Sequence, residues 1–306
     1  MIEVGVLGLG AMGRPMAERL IAGGYKLHVF DVREDAAAPL CALGARQAAG
    51  VGDITDRCEI VVVSLPNLKA VRDVLLQSGA FRSGKAVKLV INTSTIGAAL
   101  ADEIASALSE HEIALVDCPI SGGPAAARSG ALSLLVSGEA RMIDAARPLL
   151  SLWGPNITIA GDKPGAAQVL KLANNVLAAV AIIATSEAMV MGAKAGLDPE
   201  VMITALNASS GRNMATASLF PQSILPRTFN FGSPLDTLMK DVDLAIEQGE
   251  QLGVPMWVCQ AARLVGKHAQ FAGRGNDDVS TLIKTIEAGA NFELTRSTDA
   301  FAMVPS

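Results

Sequence analysis

The chain has 306 residues, half of them hydrophobic and 18% charged. This composition excludes intrinsic disorder, which needs low hydrophobicity and high net charge, and the length fits about two domains. Lys and Arg number 25 against 30 Asp and Glu, a formal charge of −5, so nothing calls for nucleic acid as a partner.

Aromatic residues are only 4%, so the core must be aliphatic. That suits helices packed on parallel strands, which are apolar on both faces. The four cysteines, Cys41, Cys58, Cys118 and Cys259, form no CxxC pair. They read as reduced thiols of a cytoplasmic protein rather than a disulfide framework or a zinc site. His28, His111 and His268 form no close pair, so no metal site is expected. No basic stretch precedes Ile2-Glu3-Val4, so no secretory signal is expected.

Short apolar runs at 2–7, 26–30, 60–64, 88–91, 113–116 and 132–136 alternate with helix-like stretches such as 12–22. This is the pattern of βαβ units on a parallel sheet. From Pro164-Gly165 a helical stretch runs to about Ala195, roughly 45 Å at 1.5 Å per residue. It is apolar enough to raise a membrane span, but Lys171, Asn174, Asn175, Glu187 and Lys194 argue against one. Beyond Gly196 the pattern is helical at 199–207, 234–252, 255–272 and 279–288, with Pro199 and Pro255 at first turns. Residues 296–306 read as a loose tail. The expected architecture is an α/β domain over 1–162, a long interdomain helix over 163–195 and an all-helical domain over 196–306.

Gly8-Leu9-Gly10-Ala11-Met12-Gly13 is a G-x-G-x-x-G run between the first strand and first helix. Gly8 permits the tight turn, Gly10 lets backbone approach a pyrophosphate, and Gly13 packs the helix on the strand. The helix N-terminus supplies N–H groups and positive dipole to the phosphates. Asp31 ends the second strand, where an acid binds ribose hydroxyls. It favours NAD, while Arg33 keeps NADP open by offering a partner for a 2′-phosphate. Ser64-Leu65-Pro66-Asn67 and Asn92-Thr93-Ser94-Thr95 also follow strands, where ligands bind in such sheets. Both fit ordinary capped turns equally.

Asp117-Cys118-Pro119-Ile120-Ser121-Gly122-Gly123 follows a further strand. Its Ser-Gly-Gly can present backbone N–H groups to a small carboxylate, or be a plain loop. Lys171 stands inside an apolar helical turn, with Asn175 one turn further on the same face. Burial would lower the amine's pKa toward the range useful for proton transfer; a lysine snorkelling at a domain edge is the alternative. Lys240 could reach a cofactor or lie in solvent. Arg212, in Ser209-Ser210-Gly211-Arg212-Asn213, could clamp a second carboxylate or be a surface group.

Together these segments resemble the β-hydroxyacid dehydrogenase family, typified by 3-hydroxyisobutyrate dehydrogenase, over essentially the whole chain. Gly8–Gly13 with Pro15-Met16-Ala17 is similar to its cofactor signature, and Asp117–Gly123 to its D-x-P-x-S-G-G motif. Gly165 through Lys171 to Asn175 resembles its catalytic segment. Cys118 stands where alanine is usual, Ala167 replaces a common glycine, and Pro164 is an extra residue. The resemblance implies a Rossmann-type doubly wound sheet, NAD or NADP as cofactor, and oxidation of a small hydroxy acid to a semialdehyde or keto acid. Lys171 becomes the general acid/base, and Ser121, Gly122, Gly123 and Asn175 bind substrate. Leu65, Pro66, Asn67, Thr95 and Lys240 join Gly8–Gly13, Asp31 and Arg33 around the cofactor. Dimers or tetramers are implied. Two other readings compete: a dinucleotide-binding module without catalysis, and an imine reductase, in which the lysine is replaced.

Overall fold

The structure is a computed structural model that describes residues 2–295. The tail read at 296–306 lies outside the described residues. The chain divides into two compact units between Leu172 and Ala173.

Among the described residues the first unit carries nine strands: β1 (Glu3–Leu7), β2 (Lys26–Phe30), β3 (Arg46–Gln47), β4 (Ile60–Val63), β5 (Leu89–Asn92), β6 (Ala114–Asp117), β7 (Ile120–Ser121), β8 (Ser133–Ser137) and β9 (Asn156–Gly161). Their order is β3-β2-β1-β4-β5-β6-β8-β7, with β9 also paired to β8. The first six are parallel, in the doubly wound order that places ligands at strand carboxyl ends. β8 is antiparallel to β6 and β7 and parallel to β9.

Strand alternation sorts the core onto two faces. Val4, Val6, Val62, Leu89, Ile91 and Val116 pack with Met16, Leu20 and Trp153 in one cluster. Leu7, Val61, Val63, Val90 and Leu115 pack with Ile54, Leu100 and Ile104 in the other. Trp153 is fully buried and donates from Nε1 to the Met16 carbonyl at 3.1 Å, which satisfies its one polar atom.

The expected strands recur within a residue or two. Those that periodicity missed are β3 and β7, two residues each, and β9, none of whose residues is buried. Such edge pieces offer no apolar run to read.

One helix spans Ala166–Lys194 and belongs to both units. It is long and apolar enough to cross a membrane, and half of its most apolar stretch is buried in the protein. The second unit is helical, with Pro199–Asn207, Leu235–Gln251, Trp257–Ala269 and Ile283–Ala290. Asp198 caps the first of these, accepting from the N–H groups of Glu200 and Val201. The run expected at 279–288 is two pieces, since Val279–Leu282 winds as a 3₁₀ turn capped by Asp278. Ala215–Ile224 is π-helical, a form that hydrophobic spacing does not announce.

Candidate functional site

The glycines of the first turn separate by what each position allows. Gly8 has φ +91°, and a Cβ there would lie 2.2 Å from the Ser64 carbonyl oxygen. A Cβ on Gly13 would lie 1.9 Å from the Gly8 carbonyl oxygen. A Cβ on Gly10 would meet nothing within 4 Å. Gly8 and Gly13 are therefore required by the protein's own packing, whereas Gly10 faces open space. The helix that follows, Gly13–Ala22, has no side-chain cap; in its first turn the Arg14 N–H bonds the Gly10 carbonyl at 3.1 Å, and Pro15 has no N–H to satisfy.

Asp31 sits against this turn. Its carboxylate accepts from the Leu9 N–H at 2.7 Å and from the Arg33 N–H at 2.9 Å and Nε at 3.2 Å. Burial alone would raise its pKa, but these bonds and the Arg33 charge outweigh that and hold it below the usual carboxylate value. Arg33 also reaches the Leu9 carbonyl at 3.4 Å.

Leu65 donates its N–H to Ser94 Oγ at 2.9 Å, tying the turn after β4 to the turn after β5. Pro66 and Asn67 are exposed. The Asn67 side chain accepts from the Ala70 N–H at 2.8 Å and caps the helix Leu68–Arg72. Its local task is thus the capping role that the turn reading allowed. Thr95 is half-buried beside these groups.

A buried polar network lies under the turn after β5. Asp117 is fully buried at the end of β6. Its Oδ1 accepts from Gln168 Nε2 at 2.7 Å and Asn92 Nδ2 at 3.1 Å, and its Oδ2 from the Gly165 N–H at 3.3 Å. Burial pushes this carboxyl up to about 6, with Asp102 adding to the rise and the three hydrogen bonds opposing it. Ser137 Oγ accepts from the Ala167 N–H at 3.0 Å. Asp117 and Ser137 thus satisfy the Gly165 and Ala167 N–H groups at the start of the long helix.

Lys171 lies in the next turn and is 7% exposed. Ser121 is half-buried at the end of β7, and Gly122 and Gly123 both take positive φ, +126° and +69°. These conformations favour glycine.

In the second unit, Asn175 and Lys240 meet on one carboxylate. Asn175 Nδ2 donates to Asp241 Oδ2 at 2.6 Å, and Lys240 Nζ to Asp241 Oδ1 at 2.7 Å. Asp241 is 4% exposed. Arg212 is exposed on its loop, where Asn213 caps the following helix by accepting from the Ala215 and Thr216 N–H groups. Sequence reading gave no task to Gln168 and did not foresee the buried hydrogen bonds of Asn92, Asp117 and Asp241. The available signal was an acid or amide set among residues that are otherwise apolar.

Two family models match in succession. The NAD binding domain of 6-phosphogluconate dehydrogenase covers residues 3–161, and the NAD-binding region of NADP-dependent 3-hydroxyisobutyrate dehydrogenase covers 165–286. The chain is 32% identical to 2-(hydroxymethyl)glutarate dehydrogenase of Eubacterium barkeri, over 94% of this chain and 95% of that one. The chain belongs to the β-hydroxyacid dehydrogenase family. It is also 35% identical to 3-hydroxyisobutyrate dehydrogenase of Pseudomonas aeruginosa, over 88% of this chain and 93% of the relative. The solved 3-hydroxyisobutyrate dehydrogenase of Salmonella typhimurium superposes with a TM-score of 0.81 at 30% identity, covering 93% of this chain and 99% of that one. A β-hydroxyacid dehydrogenase takes NAD(P), and the first turn fits it: Gly10 leaves room for a pyrophosphate where a side chain would intrude.

Proposed function

We propose that this β-hydroxyacid dehydrogenase interconverts a small β-hydroxy acid and its semialdehyde or keto acid, with Lys171 as general acid/base. The observation that carries the reading is Lys171 itself. It is a buried lysine in an apolar turn, one helical turn before Asn175, in a chain with the family's cofactor turn. An imine reductase would have replaced that lysine, and a module without catalysis would have had no need to keep it.

NAD(P), when bound, supplies the hydride acceptor for oxidation and the donor for reduction. Gly8–Gly13 hold its pyrophosphate, and Asp31 its ribose; Arg33, Leu65, Pro66, Asn67, Thr95 and Lys240 complete the cofactor's surroundings. NAD is favoured because the Asp31 carboxylate repels a 2′-phosphate. The substrate carboxylate docks on Ser121 Oγ and the N–H groups of Gly122 and Gly123. Lys171 Nζ takes the substrate hydroxyl proton in oxidation and returns it in reduction. Asn175, held by Asp241, hydrogen-bonds the same oxygen and orients it.

Arg212 favours a dicarboxylic substrate of the glutarate type, in keeping with the Eubacterium barkeri relative. The enzyme is cytoplasmic in this reading, consistent with its four free cysteines, and needs neither nucleic acid nor membrane. It assembles as a homodimer or homotetramer. Support comes from apolar residues left exposed at spacings of seven residues or twice that, Leu170, Leu177 and Met191 on the long helix and Trp257, Leu264 and Phe271 after it.

The deciding experiment is a panel of small hydroxy acids assayed with NAD and NADP, with R212A beside wild type. Turnover of a hydroxy acid is expected, with diacids preferred and the preference lost in R212A. Tight cofactor binding without turnover on any member would favour the binding-module reading. Light scattering of wild type and L177E reports the assembly; a monomeric wild type would remove that part.

A further inference from the structure

Gln168 is fully buried, three residues ahead of Lys171 on the same helix. Its carboxamide uses every hydrogen-bonding position it has. Oε1 accepts from the Ile96 and Gly97 N–H groups at 2.9 and 3.1 Å. Nε2 donates to the Ser94 carbonyl at 3.0 Å and to Asp117 Oδ1 at 2.7 Å. The two ends cannot be exchanged, because flipping the amide would set N–H against N–H and oxygen against oxygen. Asn92 Nδ2 donates to both of the same acceptors, the Ser94 carbonyl and Asp117 Oδ1, at 3.1 Å each.

One side chain therefore spans two pieces of backbone more than 70 residues apart in sequence. One is the 94–97 turn, which carries Thr95. The other is the helical turn that carries Lys171. A buried amide with four partners fixes position far more strictly than apolar packing, since each lost bond leaves a desolvated polar group.

We propose that Gln168 is the positioning residue of this active site: its carboxamide sets the placement of the Lys171 amine relative to the cofactor-contacting turn 94–97. The inference rests on the reading of Lys171 as general acid/base. Proton and hydride transfer require atoms placed within fractions of an ångström, and a displacement of about 1 Å costs on the order of a hundredfold in rate.

The test compares Gln168→Met, Ser137→Ala and Lys171→Ala with the intact enzyme. Methionine keeps the length and volume of glutamine but makes none of the four bonds. Ser137→Ala removes one N–H partner at the start of the same helix and leaves 94–97 untouched, so it reports loss of helix capping alone. For Q168M the expected result is a 10- to 100-fold fall in kcat with a larger primary deuterium isotope effect, while KM and Kd for NAD stay within twofold. S137A is expected to lose thermal stability and keep kcat. Gln168→Glu cannot donate to Asp117 when ionised, so it should be impaired like Q168M at neutral pH. The proposal is overturned if Q168M retains kcat within twofold, or if kcat in Q168M and S137A falls in proportion to lost stability. Lys171→Ala separates the two readings: an active K171A refutes the role of the lysine, whereas an inactive K171A beside a fully active Q168M refutes only the role of Gln168.

Discussion

The Asp31 carboxylate joins the glycine turn to Arg33, accepting from the Leu9 N–H at 2.7 Å through one oxygen and from Arg33 through the other. The acid proposed to bind the ribose is thus also the group that restrains the nearest guanidinium. Asp31→Ser removes the negative charge and releases Arg33. The ratio of kcat/KM for NADP to that for NAD should rise by about tenfold or more, roughly 1.4 kcal/mol. Initial rates with both cofactors measure it, and an unchanged ratio would mean that Asp31 does not select the cofactor.

Gly10 and Gly13 predict opposite failures. In Gly13→Ala the new methyl meets a backbone oxygen at 1.9 Å, which cannot swing aside as a side chain would. Its thermal midpoint should fall by several degrees. In Gly10→Ala the methyl meets no protein atom, so stability should hold while NAD affinity drops by about tenfold or more. Thermal melts and fluorescence titration with NADH distinguish the two. A G10A protein that binds NADH normally would contradict the assigned position of the pyrophosphate.

Lys171→Ala should lower kcat at least about a hundredfold, the scale of a positioned acid/base. The cofactor turn is untouched, so NAD binding should persist. Partial rescue by added primary amines would show that the missing function is proton transfer. If kcat stays within a few-fold of wild type, the proton passes through another group.

Asp117 gives the stability a specific pH dependence. Its folded-state pKa, about 6, lies above the ordinary 3.8. Its contribution to stability is therefore complete below about pH 4 and is lost as pH rises through 6. The full change is on the order of 3 kcal/mol. Asp117→Asn cannot titrate, so the stability difference between wild type and D117N should shift in favour of wild type on going from pH 7 to 4. Denaturant midpoints at several pH values measure this; parallel curves across that range would show that the carboxyl titrates elsewhere.

Local features were legible because they are written in consecutive residues. The Gly8–Gly13 turn needs a strand before it and a helix behind it, and the sequence supplies both. Val4, Val6, Val62 and Ile91 announce strands by apolar runs, and Pro199 marks a helix start. Lys171 stood out as a charge where apolar residues surround it. β9 was not legible, since none of its residues is buried and no apolar face marks it, and neither was the π-helical winding of Ala215–Ile224.

By itself, the sequence determined the class of fold, the cofactor turn and the candidate base, because each depends on spacing along the chain. Only the tertiary structure decided which groups hold them. Asp117 reaches Gln168 across 51 residues, and Asn175 reaches Asp241 across 66. Hydrogen-bonding capacity is a property of a residue type, but a buried partner is a property of position. The folding of distant strands and helices brings those donors and acceptors within 3 Å and excludes the water that would otherwise satisfy them.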